Sequence, residues 1–320
     1  MECLVAICTH NRHTLLEQTM ASLDALECPP GLRVRVVVVA NACTDETEEA
    51  VRRWQSPFPV QLLAEPTAGL SHARNRALQY ARETAVDVVL WSDDDVEYGR
   101  GFLAAYHDAW TANPDSLVFG GRILPRFLPP SPPELEFLRA TVGLHPFSCL
   151  DFGTEGRDMN PRTGLPFGAN MAVRMTPSNR ERGFDPRLGV TPRRKVGFEE
   201  TVYLNDVLAG APWRYVPNAS VHHLLPPRRQ SREAVGQYFR ALGQYEGFVA
   251  TDELPDMRML WGAPRWTWRQ RASLLLRFST AMLLRDRATV LRTQLEQLRL
   301  AGYIEAFGER IPPGISELIR

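Results

Sequence analysis

Apolar residues in the first 120 positions fall into short dense runs, separated by stretches with helical spacing. The runs are 3–8 (CLVAIC), 33–40 (RVRVVVVA), 60–64 (VQLLA) and 86–91 (VDVVLW). They are brief, rich in β-branched residues and largely apolar at consecutive positions. That pattern predicts strands covered on both faces, as in a parallel sheet. Between them, 14–26, 45–54 and 70–82 read as helices, the second opening on a Thr44/Asp45 cap. A βαβαβα order predicts an α/β domain whose ligands lie beyond the carboxyl ends of the strands. The polar clusters sit at those ends: Thr9-His10-Asn11 after the first strand, Asn41 to Asp45 after the second, and Asp93-Asp94-Asp95 after the fourth.

From 122 to 166 the periodicity collapses under eight prolines, and the pattern predicts a long irregular loop. Order returns with a turn at 167–170, a short strand to Arg174, a helix over 199–208 and a strand around 213–216. Pro226-Pro227 marks a boundary. Beyond it 232–249, 266–284 and 288–300 read as helices. The expected organisation is an α/β domain over 1–227 with an irregular loop at 122–166, and a C-terminal helical region over 228–320.

Composition narrows the function classes. Apolar residues make up 44% of the 320, enough for a sizeable core. The 37 basic and 37 acidic side chains cancel, which argues against nucleic acid as a partner. Lys195 is the only lysine, so phosphate contacts would come from guanidinium groups. Five scattered cysteines without CxxC spacing fit reduced thiols in the cytoplasm. No signal peptide is read at the start. The most apolar late stretch, 274–284, is far short of the ~20 residues that a membrane span requires.

The acidic triplet carries the chemistry. Three adjacent carboxylates after VVLW repel one another unless a cation sits among them. An oxygen-preferring divalent ion is the natural compensator, and a nucleoside diphosphate its natural second ligand. Alternation along an extended chain would put Asp93 and Asp95 on one side and Asp94 on the other.

Six segments in order resemble family 2 glycosyltransferases of the GT-A fold, over about residues 3–230. They are Val5-Ala6-Ile7-Cys8-Thr9-His10-Asn11-Arg12, Asn41-Ala42-Cys43-Thr44-Asp45, Gly69-Leu70-Ser71-His72-Ala73-Arg74-Asn75, the triplet, Gly168-Ala169-Asn170, and Glu199-Glu200 followed by His223. The resemblance implies a Rossmann-like, mostly parallel sheet flanked by helices. It also implies a nucleotide-diphospho-sugar donor, Mn2+ or Mg2+, and inverting transfer of a hexosyl group to a hydroxyl acceptor, as in surface polysaccharide, glycolipid or glycoconjugate synthesis.

Carried over by position, Thr9, Asn11, Arg12 and Asn41 would line the nucleotide-sugar and Asp45 would hold that loop. Arg74 would reach the base or diphosphate. Asp93 would bind ribose, with Asp94 beside it as a spacer turned away. Asp95 would bind the metal, and His223 would be its later ligand, with His222 as the alternative. Glu200 would deprotonate the acceptor, with Glu199 as the other possibility for the base. Where the family commonly has Asp before the Asn of the second loop, this chain has Ala40. An obvious uracil reader is therefore missing, and the donor stays open between UDP- and GDP-linked sugars.

Two other readings compete. A nucleotidyltransferase acting on sugar phosphates would share the core but bring a glycine-rich basic loop after the first strand, which this chain lacks. The other is a non-catalytic nucleotide-sugar binder. The tail between Arg258 and Arg299 holds nine Arg against Asp286 and Glu296, with Trp261, Trp266 and Trp268 ahead of a leucine-rich helix. It fits a packed helical cap, a homodimer contact, or peripheral contact with the inner face of a membrane, which would suit a lipid-linked rather than a free saccharide acceptor.

Overall fold

The computed structural model describes residues 1–189, 197, 199–253 and 258–308. Phe198, at the expected start of the helix carrying the glutamates, lies outside them. The chain begins as expected: β1 (Glu2–Thr9), α1 (His13–Asp24), β2 (Arg33–Asn41), α2 (Thr47–Arg53), β3 (Val60–Glu65), α3 (Leu70–Glu83) and β4 (Val88–Asp93). Then come β5 (Val96–Tyr98), α4 (Phe102–Ala112), β6 (Val118–Phe127), α5 (Leu135–Val142), β7 (Arg157–Met159), β8 (Asn170–Arg174), α6 (Pro177–Arg180), α7 (Glu199–Leu208) and β9 (Trp213–Leu225). The C-terminal part contains α8 (Arg232–Glu253), a hairpin of β10 (Met259–Leu260) and β11 (Ala263–Pro264), α9 (Arg265–Leu283) and α10 (Arg287–Gly308).

The sheet runs β3-β2-β1-β4-β8-β6-β9-β5, with β7 paired to β9. Its first four strands are parallel. Beyond β4 the sheet turns antiparallel, where β4 pairs with β8 and β8 with β6. Alternation divides the parallel strands between two cores. Cys3, Val5, Ile7, Val36, Val38 and Leu90 face one side, with Leu16, Met20, Phe102 and Tyr106 of α1 and α4 over them. Leu4, Ala6, Val37, Val39, Val89 and Trp91 face the other, under Ala73, Ala77, Tyr203 and Leu204 of α3 and α7. Both faces are covered, which is why these strands read as unbroken apolar runs.

The chain forms two compact units, Met1–Arg126 with Ser148–Leu224, and Phe127–Phe147 with Leu225–Arg320. The division differs from the expected one in two respects. The boundary lies at Leu224/Leu225 rather than at 227/228, and the stretch 122–166 is not one loop. It contains the end of β6, α5 and β7, and its middle joins the C-terminal helices. There Leu135, Leu138 and Phe147 share a core with Leu225, Val235, Leu291 and Leu295. Within the same unit α8 and α10 approach at glycines. A Cβ at Gly243 would strike the Arg299 carbonyl, and one at Gly302 the Arg240 carbonyl.

Candidate active site

At the carboxyl end of β4 the extended chain breaks into a turn at Asp94 and Asp95 before β5. The turn cancels the strict alternation expected for the triplet, and all three acids stay at the site. Asp95 is 1% exposed and Asp94 4%, while Asp93 is half-buried. β5 pairs antiparallel with β9, placing Val96 opposite His223, and His223 Nε2 lies 2.7 Å from Asp95 Oδ1. Asp93, Asp95 and His223 each offer a ligand atom within 4.8 Å of the others. His222, one step along β9, points to solvent. Alternation on β9 thus puts His223, and not His222, beside Asp95.

Asp94 is not an idle spacer. Its Oδ2 accepts from Thr9 Oγ1 at 2.7 Å, and its Oδ1 from Arg12 Nη1 at 3.0 Å. The same Arg12 nitrogen donates to Asp95 Oδ2 at 3.1 Å. Burial first, and the neighbouring Asp95 and Asp93, push the Asp94 carboxyl up to about 6 despite the opposing Arg12 charge. Three carboxylates facing one guanidinium leave an excess of negative charge, which one divalent cation would balance. Two carboxylates and an imidazole within 4.8 Å of one another also suit a divalent cation by donor chemistry.

The loops after β1 and β2 are tied into one surface. Asn11 adopts a φ of 52°, and its Oδ1 accepts from the Thr44 backbone N–H at 2.7 Å. The Asn41 side chain accepts from Gly69 N–H at 2.8 Å and donates to the Thr67 carbonyl at 2.7 Å. Asp45 accepts from the Thr47 backbone N–H at 3.1 Å and pairs with His13 Nδ1 at 3.1 Å. Burial alone would raise the Asp45 carboxyl, but these hydrogen bonds outweigh it and hold it at about 2. Thr9, Asn11, Asn41 and Asp45 are thus brought together as expected, with Asn41 and Asp45 spent on shaping the loops.

Arg74, expected at the base or diphosphate, is 3% exposed, lies 5.2 Å from the centroid of the Phe184 ring and is paired with both glutamates. Its Nη1 donates to Glu199 Oε1 at 2.9 Å and its Nη2 to Glu200 Oε2 at 3.2 Å. The reason lies in α7, whose first turn delivers both glutamates to the base of α3, where an unpaired buried carboxylate would be costly.

The two glutamates are not equivalent. The Glu199 side chain is 3% exposed, whereas that of Glu200 is 25% exposed. Glu200 Oε2 also accepts from Gly168 N–H at 2.9 Å. Burial, followed by the nearby Glu199 and Asp93 charges, raises the Glu200 carboxyl to about 7 against the pull of Arg74. Gly168, to which the sequence reading gave no role, is required here because a Cβ would collide with Arg74 and sit 2.5 Å from Glu200 Oε2. The only local signal is its place before Asn170. The side chain of Asn170 ties β8 into the sheet, donating to the carbonyls of Ala219 and Arg122 and accepting from Tyr106 Oη at 2.8 Å.

The geometry therefore offers a cation cradle (Asp93, Asp95, His223), a loop wall (Thr9 to Arg12, Asn41 to Asp45) and a carboxylate tuned near neutrality (Glu200). Comparison with known proteins places it. The sequence model of Glycosyl transferase family 2 matches residues 4–127. The chain is 26% identical over 260 residues to the succinoglycan biosynthesis protein ExoM of Rhizobium meliloti (strain 1021), covering 80% of this chain and 78% of that one. Among solved structures, it matches the mannosyltransferase PcManGT from Pyrobaculum calidifontis, in complex with GDP-Man and Mn2+, with a TM-score of 0.58. That match has 20% identity and covers 96% of this chain and 85% of that one. The S. aureus TarS fragment 1–349 in complex with UDP-GlcNAc gives a TM-score of 0.54 at 13% identity, covering 96% and 91%.

Proposed function

We propose that this chain is a family 2 glycosyltransferase that transfers a hexosyl group from a nucleoside-diphospho-sugar to a saccharide hydroxyl, inverting the anomeric centre, in polysaccharide assembly. The observation that carries the reading is the pairing of the Asp93–Asp95–His223 cradle with a Glu200 carboxyl raised to about 7. Two structural neighbours, one in complex with GDP-Man and Mn2+ and the other with UDP-GlcNAc, support the donor class. They split between GDP and UDP, and Ala40 leaves this chain without the acidic uracil reader, so both bases remain in play.

In this reading Asp93, Asp95 and His223 hold the divalent cation, which when bound neutralises charge developing on the leaving diphosphate. Arg12 keeps Asp94 and Asp95 in place from the loop side. Glu200 accepts the acceptor hydroxyl's proton on a carboxylate oxygen as the hydroxyl oxygen attacks the anomeric carbon and the nucleoside diphosphate leaves. Gly168 N–H and Arg74 fix the orientation of the Glu200 carboxylate, and Glu199 fixes Arg74. Glu199 is then a positioning residue rather than the base. A base with a pKa near the working pH is efficient because it is both deprotonated and still basic.

The deciding experiment is a screen of nucleotide-sugars by thermal shift with and without Mn2+, followed by transfer assays on the hit. Donor binding should require Asp95 and metal, so that Asp95→Ala abolishes the shift. Product NMR should show the anomeric configuration opposite to the donor's. Retained configuration would overturn the direct-displacement role of Glu200.

A further inference from the structure

The C-terminal unit carries a surface that the transferase chemistry does not use. Helix α9 buries only a narrow stripe, Thr267, Leu274 and Ala281, spaced seven apart. Trp268 and Phe278 are half-buried, and the helix's other leucines and Met282 face outward. Leu275 is 59% exposed, Leu276 69%, Met282 55% and Leu283 85%, and Leu284 just after the helix is also exposed. Seven-residue spacing aligns Arg269, Leu276 and Leu283 in one row and Leu275 and Met282 in the next.

The hairpin before α9 extends this face. Its two-residue turn is Trp261-Gly262, with φ of 49° and 76°, the left-handed pair of a type I′ turn. Asn or Gly is usual at the first of these positions, and a bulky side chain there is strained. Trp261 nevertheless occupies it at 82% exposure. It is braced at the tip by an edge-to-face contact with Trp268, whose indole N–H donates to the Leu260 carbonyl at 2.9 Å.

Charge identifies the partner. Residues 258–287 contain seven arginines (258, 265, 269, 271, 277, 285, 287) and one acid, Asp286, in a chain whose basic and acidic residues balance overall at 37 each. Exposed leucines and a tryptophan flanked by long arginine side chains match the boundary of an anionic bilayer, where aliphatic tips enter the acyl region and guanidinium groups meet phosphates. No helix among the described residues is long and apolar enough to cross a membrane, so this contact would lie on the surface.

We propose that the β10–β11 tip and the outer face of α9 dock this protein onto a lipid leaflet bearing anionic headgroups. The proposal is independent of the donor chemistry and of the role of Glu200. It is tested by sedimenting the full chain with phosphatidylcholine vesicles, with and without phosphatidylglycerol. Binding should appear only with the anionic lipid and weaken with salt. Each of Arg269→Gln and Arg285→Gln should lower the partition coefficient about fivefold. The pair Leu276→Glu/Leu283→Glu should lower it by on the order of a hundredfold while leaving the circular dichroism spectrum unchanged. Failure of the wild type to sediment with anionic vesicles, or undiminished binding by the leucine pair variant, overturns the proposal. So does a wild-type dimer in light scattering that becomes monomeric in the leucine variant, since a second copy would then cover the face. Soluble-acceptor transfer should be the same in wild type and variant.

Discussion

The base of α3 in the first unit and the α8–α10 packing in the second solve close approach by opposite means. At α3, Arg74 and Glu199 are almost wholly buried and held together by complementary charge, with Glu200 at the rim. Between α8 and α10, contact is made where side chains are missing, at Gly243, Gly247 and Gly302. The charged arrangement is intolerant of losing one partner but can tune a pKa. The glycine arrangement is intolerant of added volume and carries no chemistry of its own. Function therefore concentrates where stability is put at risk by buried charge.

The largest effect should come from breaking the tuned end of the charged arrangement. Glu200→Gln should lower kcat roughly 10²–10⁴-fold with little change in donor affinity, read by transfer assays and donor titration. A vanished donor affinity would mean that Glu200 shapes the donor site instead. In the wild type, kcat should be flat above about pH 7 and fall with acid below it, because the base must be unprotonated. The effect on stability has the opposite sense. The Glu200 carboxyl is near 7 folded and near 4.5 unfolded, so the folded state binds the extra proton between them. Stability is therefore lost as pH rises from 4.5 toward 7. Glu200→Gln should remove that decline and raise Tm above pH 7 while removing activity.

Next in size is the partner. Arg74→Met should destabilise by about 3–5 kcal/mol in urea titration, because Glu199 would be left buried without a counter-charge. The double variant Arg74→Met/Glu199→Gln should recover much of the loss. If Arg74→Met alone were neutral, the pair would not be the lock described above.

The two regions also differ in how far the sequence announces them. β1, β2 and β4 were legible because both of their faces are buried, which leaves unbroken apolar runs, while β3 at the sheet edge has no fully buried residue. The acids of the site were legible because chemistry fixes their types at strand ends. What stayed hidden depends on long-range packing. In β6, Gly120 and Gly121 look like breakers, yet a Cβ at the first would strike Pro166 and one at the second the Ala219 carbonyl. The strand thus needs the residues that argue against it. The role of Arg74 was hidden because its partners lie over 120 residues away, and the alternation expected for the triplet failed because Asp94 and Asp95 form a turn. Nothing local in 127–147 says that it packs with Leu225, Val235 and Leu291.

A smaller effect is expected from the glycine packing. Gly243→Ala puts a methyl against the Arg299 carbonyl, so the backbones of α8 and α10 must separate. The usual gain in helix propensity from Gly to Ala is lost in that strain, and a net destabilisation of about 1–3 kcal/mol should follow. The variant should keep the pH profile of Glu200. A stabilised protein would show that the helices have room that the glycines do not fill.

The smallest effect discriminates between the faces of one helix. Leu274, Leu275 and Leu276 are consecutive, yet the first is 1% exposed and the third 69%. Leu276→Ala should change stability by no more than about 0.5 kcal/mol, the usual range for exposed positions away from special contacts. A truncation of a buried leucine typically removes about 2–5 kcal/mol, so the two outcomes do not overlap. A loss in that upper range for Leu276→Ala would mean that its face is already covered within the folded chain. The bilayer would then have nothing to bind, and the outward row of α9 would be a second core rather than a docking surface. A near-zero change leaves the leucines without a role in folding, and an energetic reason for them must then come from outside the chain.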